Sequence, residues 1–262
     1  MNILYVADNE YFNIMRLSLI SVLKHHFDVT FHIFTMDSPE TNQKQISSKN
    51  RHKIKEEVKQ LDPLSKIKFY DVRELYLKKL SDSLNKDTEY TPFAALRLLA
   101  PFVINNVNIL LYLDCDTLVC EPLYELFYKY NNTDFDFAAT AELNENGKIE
   151  MFLTTSLLFN LKYQRKTNYK SINNTIKIYN CNKLNFPDQE AITKSQGKKL
   201  VLPSYYNMGI YDKKYTRILC VFYRHSEQVK NHLQRYYPHR AQKILENIER
   251  IINEISEIQF DV

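Results

Sequence analysis

The chain has 262 residues, of which 44% are hydrophobic and 25% are charged, and its formal net charge is +4. This composition is ordinary for a globular protein of one large or two small domains. The charge is too small to predict nucleic-acid binding by itself.

The N-terminus and the cysteines bear on the compartment. The opening, MNILYVADNEYF, has no basic region followed by an apolar core, so we expect no signal peptide. No apolar run approaches the ~18 residues of a membrane span. The cysteines show no C-x-x-C spacing; they are Cys115, Cys120, Cys181 and Cys220. We therefore expect a cytoplasmic protein in a reducing environment.

Glycine is rare. The three glycines are Gly147, Gly197 and Gly209, and none lies in the first 146 residues. This excludes a G-x-G-x-x-G fingerprint and a Walker A loop from the N-terminal half. If that half binds a nucleotide, we expect a metal ion rather than glycine-loop amides to hold the phosphates.

Strand and helix patterns alternate along the chain. Predicted strands cover 2–7, 28–36, 65–72, 109–113, 135–140 and 156–161, and predicted helices cover 11–26, 41–62 and 92–100. This alternation favours an α/β fold with a mostly parallel sheet flanked by helices. Ligands bind beyond the carboxyl ends of such strands. Two predicted strands end there, at Ala7-Asp8 and at Asp114-Cys115-Asp116.

The C-terminal segment has a different composition. Residues 213–243 carry eight Lys or Arg against one acid, Glu227, with tyrosines and Phe222 between them. An apolar stripe at alternating spacings of three and four follows, at Ala241, Ile244, Ile248, Ile251, Ile255 and Ile258. We predict a catalytic domain over 1–212 and a basic segment with an amphipathic helix over 213–262. The helix fits packing on its own domain or a homodimer contact, and the basic segment fits a solvated face or docking on anionic lipid.

Two aspartates directly follow the apolar strand 109–113. Asp114 and Asp116, at positions i and i+2, can chelate one Mg²⁺ or Mn²⁺, which prefer oxygen ligands. Aspartate pairs in surface turns are often inert. A phosphatase of the haloacid-dehalogenase type needs D-x-D-x-[TV], usually in the first strand, but this pair follows the fourth strand and Thr117 comes one residue too early.

Further motifs follow in a specific order. The stretches VADNEYF, ALRLLAPFVI, LLYLDCDTLV, AATAEL, FPDQEAI and LPSYYNM together resemble glycosyltransferase family 8, the group that contains bacterial lipooligosaccharide galactosyltransferases and glycogenin. The resemblance covers roughly residues 1–230. It implies a GT-A-type nucleotide-sugar-binding fold.

The resemblance also assigns roles to residues. It implies nucleotide-sugar binding by Ala7, Asp8, Tyr11, Arg97, Asp114, Cys115, Glu142 and Lys230. It implies metal ligation by Asp114, Asp116 and His225. It places Asp188 and Gln189 beside the reacting sugar carbon. From the residues alone, the functional role is favoured, but Arg97 could be an exposed helix cation, and Asp188-Gln189 a pair that caps a helix N-terminus.

The sequence departs from the family pattern at two places. Leu153 and Thr155 stand where the family has an Asn-x-Gly turn, which puts acceptor binding or sugar placement in question. The closing His, Gly and Lys-Pro-Trp motif is replaced by CVFYRHSEQVKNH, in which His225 and Lys230 are the nearest equivalents and His232 is the reserve ligand.

The resemblance implies an activity. The expected enzyme uses Mn²⁺ or Mg²⁺ to move a hexose from UDP-galactose or UDP-glucose to a glycan or glycolipid hydroxyl, with retention of configuration, as in lipopolysaccharide biosynthesis. We expect no nucleic-acid partner, and the basic tail would allow peripheral attachment to the inner membrane face. Leu153, Thr155 and the altered closing motif leave one alternative open, a nucleotide-sugar-binding protein without turnover.

Overall fold

The computed structural model describes residues 1–86, 92–208, 214, 216–220, 246 and 253. The strands are β1 (Asn2–Val6), β2 (Thr30–Thr35), β3 (Lys66–Asp71), β4 (Ile109–Leu113), β5 (Thr117–Val119), β6 (Phe137–Leu143), β7 (Ile149–Asn160), β8 (Lys199–Val201) and β9 (Ile218–Cys220). The α-helices are α1 (Phe12–Leu23), α2 (Ser48–Leu61), α3 (Arg73–Lys79), α4 (Pro92–Ala95), α5 (Ala100–Val103), α6 (Tyr124–Tyr130), α7 (Leu161–Lys166), α8 (Lys170–Cys181) and α9 (Pro187–Lys194). Leu96–Leu99 and Ser204–Tyr206 are 3₁₀ turns.

Within the described residues, the main sheet has seven strands in the order β3-β2-β1-β4-β7-β6-β8. The pairs β1–β2, β2–β3, β1–β4 and β6–β8 are parallel, whereas β7 runs antiparallel to both β4 and β6. Strands β5 and β9 form a separate antiparallel pair. The predicted α/β class with a mostly parallel sheet is confirmed.

Apolar side chains cover both faces of the sheet. In β4, Leu110 and Tyr112 pack into one buried cluster, while Ile109, Leu111 and Leu113 pack into the other. A strand buried on both faces needs an unbroken apolar run rather than an alternating one. This explains why residues 109–113 are apolar throughout.

The segment after Pro92 is not one continuous helix. It consists of α4, a 3₁₀ turn over Leu96–Leu99, and α5. Pro101 has no N–H to donate to the carbonyl of Arg97, and the N–H of Ala100 donates to it instead. This tightened turn holds the backbone of Arg97, which is buried.

Several predicted element bounds were wrong. The helix predicted over 41–62 begins only at Ser48, because the hydroxyl of Ser47 caps its start by accepting from the N–H of Asn50. Strand β7 begins at Ile149 rather than Ser156, and Leu161 opens a helix. Helix α3 was not predicted.

The two strand ends expected to carry a site lie side by side. Because β1 and β4 are adjacent and parallel, Ala7-Asp8 and Asp114-Asp116 leave the sheet at the same edge. Within the described residues, no helix is long and apolar enough to cross a membrane. The domain division at residue 212 stays a prediction, and all six positions of the apolar C-terminal stripe lie outside the described residues.

Candidate active site

Arg97 lies at the centre of a cluster of polar side chains at this edge. It is only 5% exposed. Its Nη2 lies 3.0 Å from Oδ1 of Asp114, and its Nη1 lies 3.5 Å from Oδ2 of Asp188. Its guanidinium also packs over the ring of Tyr112, 4.1 Å from the centroid. The reading of Arg97 as an exposed helix cation is therefore wrong.

The charges around Arg97 keep it ionised. Burial alone would lower its pKa, but Asp114, Tyr112 and Asp188 together raise that pKa above the ordinary value. Its Nε donates to the carbonyl of Ala94 at 2.7 Å, and this bond fixes the orientation of the guanidinium while Nη1 and Nη2 face the carboxylates. A buried cation held by several acceptors is the geometry in which an arginine orients two carboxylates at once.

An irregularity in β7 brings Thr154 to the same cluster. Along β6, Ala139 pairs with Leu157 but the next residue, Thr140, pairs with Leu153, so residues 154–156 bulge out of the ladder. Bulges re-aim side chains and are frequent beside active sites. The bulge is next to Asp114, whose N–H donates to the carbonyl of Thr155.

Thr154 contacts three of the candidate residues. Its hydroxyl donates to Oδ2 of Asp188 at 2.7 Å. Its carbonyl and hydroxyl accept from Nη1 of Arg97 at 2.9 and 3.2 Å. Its N–H donates to Oε1 of Gln189 at 3.3 Å. Thr154 thus links the first turn of α9 to the segment that carries Arg97.

Asp188 and Gln189 lie inside α9 and do not cap it. The residue at the N-cap position is Phe186, and no side chain caps the helix there. The carboxylate of Asp188 faces Arg97 and Thr154, while Glu190 accepts from the N–H groups of Asn185 and Phe186. The capping interpretation of the Asp188-Gln189 pair is therefore wrong.

The D-x-D pair occupies the turn between β4 and β5. Tyr112 donates a short hydrogen bond to Oδ1 of Asp114, the same oxygen that meets Arg97. Burial raises the pKa of Asp114, and Arg97 opposes that rise. Burial and the neighbouring Asp114 raise the pKa of Asp116 to about 7. Within the described residues, no side chain donates a hydrogen bond to Asp116.

The chain turns directly after β1, and hydrogen bonds to the side chain of Asp8 hold this turn. The carboxylate of Asp8 accepts from the N–H of Tyr11 at 2.7 Å and from Nε2 of Gln43 at 2.6 Å. The N–H of Ala7 donates to the carbonyl of Phe34. Cys115 is buried and donates through its thiol to the carbonyl of Val6, which ties the two strand ends together. Ala7, Asp8, Tyr11 and Cys115 therefore lie at the expected edge.

Of the remaining predicted site residues, the structure describes Glu142. Glu142 is exposed on β6 opposite Met151, and it has no hydrogen bond or ion pair to the Arg97 cluster within the part of the chain that is described. His225, Lys230 and the reserve ligand His232 lie outside the described residues. Among the residues that are described, no three His, Cys, Asp or Glu side chains are grouped to hold a metal ion.

Sequence reasoning missed Tyr112 and Thr154. Tyr112 interrupts an otherwise aliphatic strand, a weak sign that one side of that strand meets a polar group. Thr154 lies between Leu153 and Thr155, the two positions where the sequence departs from the family pattern, but its bulge depends on pairing with β6.

Comparison with known proteins identifies relatives of the chain. The sequence profile of the family described as "Glycosyl transferase family 8" matches residues 2–236. Comparison with curated proteins found no match to this chain.

Solved structures share the fold. The bifunctional glycosyltransferase WbbM, in its apo form, superposes with a TM-score of 0.64 at 13% identity, over 85% of this chain and 45% of its own. The galactosyltransferase LgtC, in complex with donor and acceptor sugar analogues, superposes with a TM-score of 0.58 at 18% identity, over 79% of this chain and 75% of its own. Mouse xyloside xylosyltransferase 1 gives a TM-score of 0.55 at 15% identity, over 79% of this chain and 87% of its own. The chain thus spans less than half the length of WbbM, and at these identities the likeness concerns the fold.

Proposed function

Because this chain belongs to glycosyl transferase family 8 and is therefore a glycosyltransferase, we propose that it moves a hexose, galactose or glucose, from its UDP derivative to a hydroxyl of a glycan or glycolipid acceptor. We propose further that the reaction depends on a divalent metal and retains the anomeric configuration.

One observation carries this proposal, which is the bridge that Arg97 forms between Asp114 and Asp188. Arg97 and Tyr112 both use Oδ1 of Asp114, and Arg97 and Thr154 both use Oδ2 of Asp188. Each carboxylate is thus oriented through one oxygen, and its second oxygen has no hydrogen-bond partner among the described residues. The bridge would couple a metal–diphosphate end of the site, at Asp114, to a sugar end, at Asp188.

The residues of the D-x-D turn fit a divalent cation. Asp114 and Asp116 supply carboxylate oxygens, which Mg²⁺ and Mn²⁺ prefer. A carboxylate whose pKa rises to about 7 beside a second carboxylate is a site where a cation would balance the charge. Asp114, Asp116 and His225 would hold the ion, which, when bound, supplies Lewis-acid stabilisation of the departing diphosphate.

The chain's own residues would orient the two substrates. In the transfer step, the bond from the sugar's anomeric carbon to the β-phosphate oxygen breaks, and a bond from the acceptor oxygen forms. The acceptor proton would pass to the departing phosphate. Gln189, whose Oε1 is held by the N–H of Thr154, would present its amide N–H groups to the sugar. Asp188 would accept a hydrogen bond from a sugar hydroxyl, and Lys230 would add positive charge at the diphosphate.

Nucleotide binding would use the paired strand ends. The turn that Asp8 stabilises by accepting from the N–H of Tyr11 would place Ala7 and Tyr11 against the base and ribose. Cys115, whose thiol donates to the carbonyl of Val6, would hold the nucleotide-binding turn after β1 next to the metal-binding turn after β4. We propose that Glu142 contacts the sugar from the exposed end of β6.

The experiment has a binding part and a turnover part. Isothermal titration of UDP should show much tighter binding with Mn²⁺ than with EDTA. A UDP-release assay with UDP-galactose and UDP-glucose, over a panel of glycan acceptors, should show metal-dependent turnover. Asp116→Asn should lose most of both signals, because an amide is a much poorer ligand for a divalent cation than a carboxylate. Glu145→Gln is the matched control, because it also replaces a carboxylate with an amide but at an exposed residue.

The outcomes separate the candidate functions. Equal UDP affinity with Mn²⁺ and with EDTA would overturn the metal-dependent mechanism. Metal-dependent UDP binding without turnover on any acceptor would favour the alternative of a nucleotide-sugar-binding protein, to which Leu153 and Thr155 point. Anomeric analysis of the product by NMR decides between retention and inversion.

A further inference from the structure

A groove lies at the N-terminal ends of β1 and β4, whereas the Arg97 cluster lies at their C-terminal ends. The groove has a volume of about 640 Å³ and is lined by Asn2, Asn106, Val107, Asn108, Ile109, Tyr124, Phe127, Tyr128 and Asn131. Asn2 and Ile109 are the first residues of the parallel strands β1 and β4, whereas the candidate active site follows their last residues. The five residues of β4 separate the two sites by roughly 16 Å along the strand.

One wall of this groove is an aromatic stripe on α6. Tyr124, Phe127 and Tyr128 stand at i, i+3 and i+4, so they share one face of the helix, and the C-cap residue Asn131 continues that face at i+7. Leu126 and Tyr130 anchor α6 in the buried core, and Phe127 is partly buried against the same core. Tyr128 is 89% exposed and Tyr124 is 48% exposed. The core therefore does not account for the exposed rings of Tyr124 and Tyr128.

Both walls are held in place by contacts outside the groove. The ring of His26 meets Tyr124 edge to face at 4.5 Å. On the other wall, Nη2 of Arg165 donates to the carbonyl of Val107 at 2.8 Å. The groove is thus preformed, and its volume lies in the ~300–1,000 Å³ range of small-molecule sites.

The chemistry of the lining selects the ligand class. Of the nine described residues that line the groove, four are asparagines, three are aromatic and none is charged, although 25% of the chain is charged. Phosphates, nucleic acids and anionic lipid surfaces are bound through Lys and Arg, which this lining lacks. An asparagine amide both donates and accepts hydrogen bonds, as the hydroxyls of a sugar do. Aromatic rings offer flat apolar faces to the C–H face of a sugar ring.

We propose that this groove binds a neutral hexose oligosaccharide and anchors a glycan at a distance from the reacting centre. Because the groove lies at the opposite ends of β1 and β4, the glycan bound there is not at the point of transfer. It would raise the local concentration of acceptor chains around the enzyme. This anchoring role rests on the proposed function, but binding in the groove does not require turnover.

The test measures glycan binding without metal or nucleotide. Saturation-transfer NMR and isothermal titration with maltoheptaose, cellohexaose and β-1,4-galactotetraose should show binding of at least one of these probes to the full chain. Tyr128→Ala should weaken that binding about tenfold or more, as the loss of an anchoring aromatic side chain does. Tyr128→Phe, which keeps the ring, should retain most of it.

Two controls make the result specific. Lys129→Ala removes an exposed side chain of the same helix that lies outside the lining, and it should bind as the unaltered chain does. Asp116→Asn should also bind the glycan probe as the unaltered chain does, because the groove does not include Asp116. The glycan-binding result is therefore independent of whether the proposed transferase activity is found.

Two outcomes would overturn the proposal. One is no binding of any of the three probes. The other is a dimer by sedimentation analysis that Tyr128→Ala converts to monomer, with glycan binding unchanged, because the stripe would then be a contact between two copies of the chain.

Discussion

Thr154 shows how much of the site depends on one small polar side chain. It is buried and contacts Arg97, Asp188 and Gln189 through its hydroxyl, carbonyl and N–H. The backbone contacts would survive a change of side chain, whereas the contact from the hydroxyl to Asp188 would not. The role of the hydroxyl can therefore be tested separately from the bulge.

Thr154→Val removes the hydroxyl and keeps the branched shape. A hydrogen bond to a charged group contributes about 1.5–3 kcal/mol, so we expect kcat/KM to fall about tenfold or more while the chain still folds. Thr154→Ser keeps the hydroxyl and should stay within a few-fold of the unaltered enzyme. Kinetics of UDP release, with urea unfolding as the check on folding, measure both. Equal activity of the valine and serine variants would show that the hydroxyl does not position Asp188.

His26 is a buried residue that must stay neutral. Its Nε2 accepts from the N–H of Leu123 at 2.9 Å, and a protonated ring cannot accept there. Burial lowers the pKa of His26 to about 4. In the unfolded chain the pKa is about 6.5. The unfolded state therefore takes up a proton first, and the folded state loses stability as the pH falls from about 6.5 to about 4.

We expect His26 to lower the free energy of unfolding by about 3 kcal/mol as the pH falls from about 6.5 to about 4. Asp116 acts in the opposite direction, since its raised pKa favours the folded state at low pH. The contribution of His26 is thus read from the difference between the unaltered chain and His26→Gln, which keeps an acceptor but does not titrate. Urea unfolding at pH 7, 5.5 and 4.5 should show the two free energies of unfolding diverging. Parallel curves would contradict a neutral buried His26.

At the scale of elements, the site depends on irregular segments rather than regular ones. The 3₁₀ turn before Pro101 positions Arg97, and the bulge at residues 154–156 of β7 positions Thr154. Short and irregular segments such as these are defined by a missing N–H or by the register of a neighbouring strand. The loop from α9 to β8 is another case, because Gly197 has a φ of +137° there.

Gly197→Ala should destabilise the chain strongly. An added Cβ would lie 2.2 Å from Oγ of Ser171 and 2.8 Å from Oδ2 of Asp136, and the φ is strained for any other residue. We expect a loss of about 2–4 kcal/mol in the free energy of unfolding. Gly147→Ala is the matched control, since its φ is also positive, at +72°, but nothing lies within 4 Å of the added Cβ. It should cost only about 1 kcal/mol. Equal losses in the two variants would mean that the packing against Ser171 is not tight.

At the scale of the whole molecule, the parallel pairing of β1 with β4 brings residues from opposite halves of the N-terminal region to one edge. The antiparallel β7 then adds Thr154, and α9 adds Asp188 and Gln189, to the same edge. The basic segment 213–243 is the part of the chain whose role the described residues do not define. Its composition supports the proposal of a peripheral membrane contact.

We expect the full chain to sediment with vesicles that contain anionic lipid and not with pure phosphatidylcholine vesicles. Binding should fall steeply between about 50 and 500 mM salt, because exposed charges are screened beyond about 10 Å at 0.1 M. A double variant, Arg235→Glu with Arg240→Glu, should lose most of the binding. Sedimentation that does not depend on salt, or that the double variant leaves unchanged, would identify the segment as an ordinary solvated face.

The sequence by itself determined the fold class and the ligand-binding edge. Unbroken apolar runs such as residues 109–113 predict strands buried on both faces, and their alternation with helices predicts a mostly parallel sheet. The carboxyl ends of those strands then place Asp8, Asp114 and Asp116 together without knowledge of any contact. These inferences work because each depends on a local pattern and on a general rule of sheet geometry.

Only the tertiary structure decided which side chains touch. Arg97 is buried against Asp114 and Asp188 rather than exposed, and Asp188 faces this cluster rather than capping its helix, because β7 and α9 pack against the segment that carries Arg97. The contacts of Thr154 depend on a shift of register between β6 and β7 that no local pattern in either strand encodes. The groove beside α6 likewise requires a helix and two strand ends, distant in the chain, to meet. Such contacts depend on long-range packing, which a single sequence does not specify residue by residue.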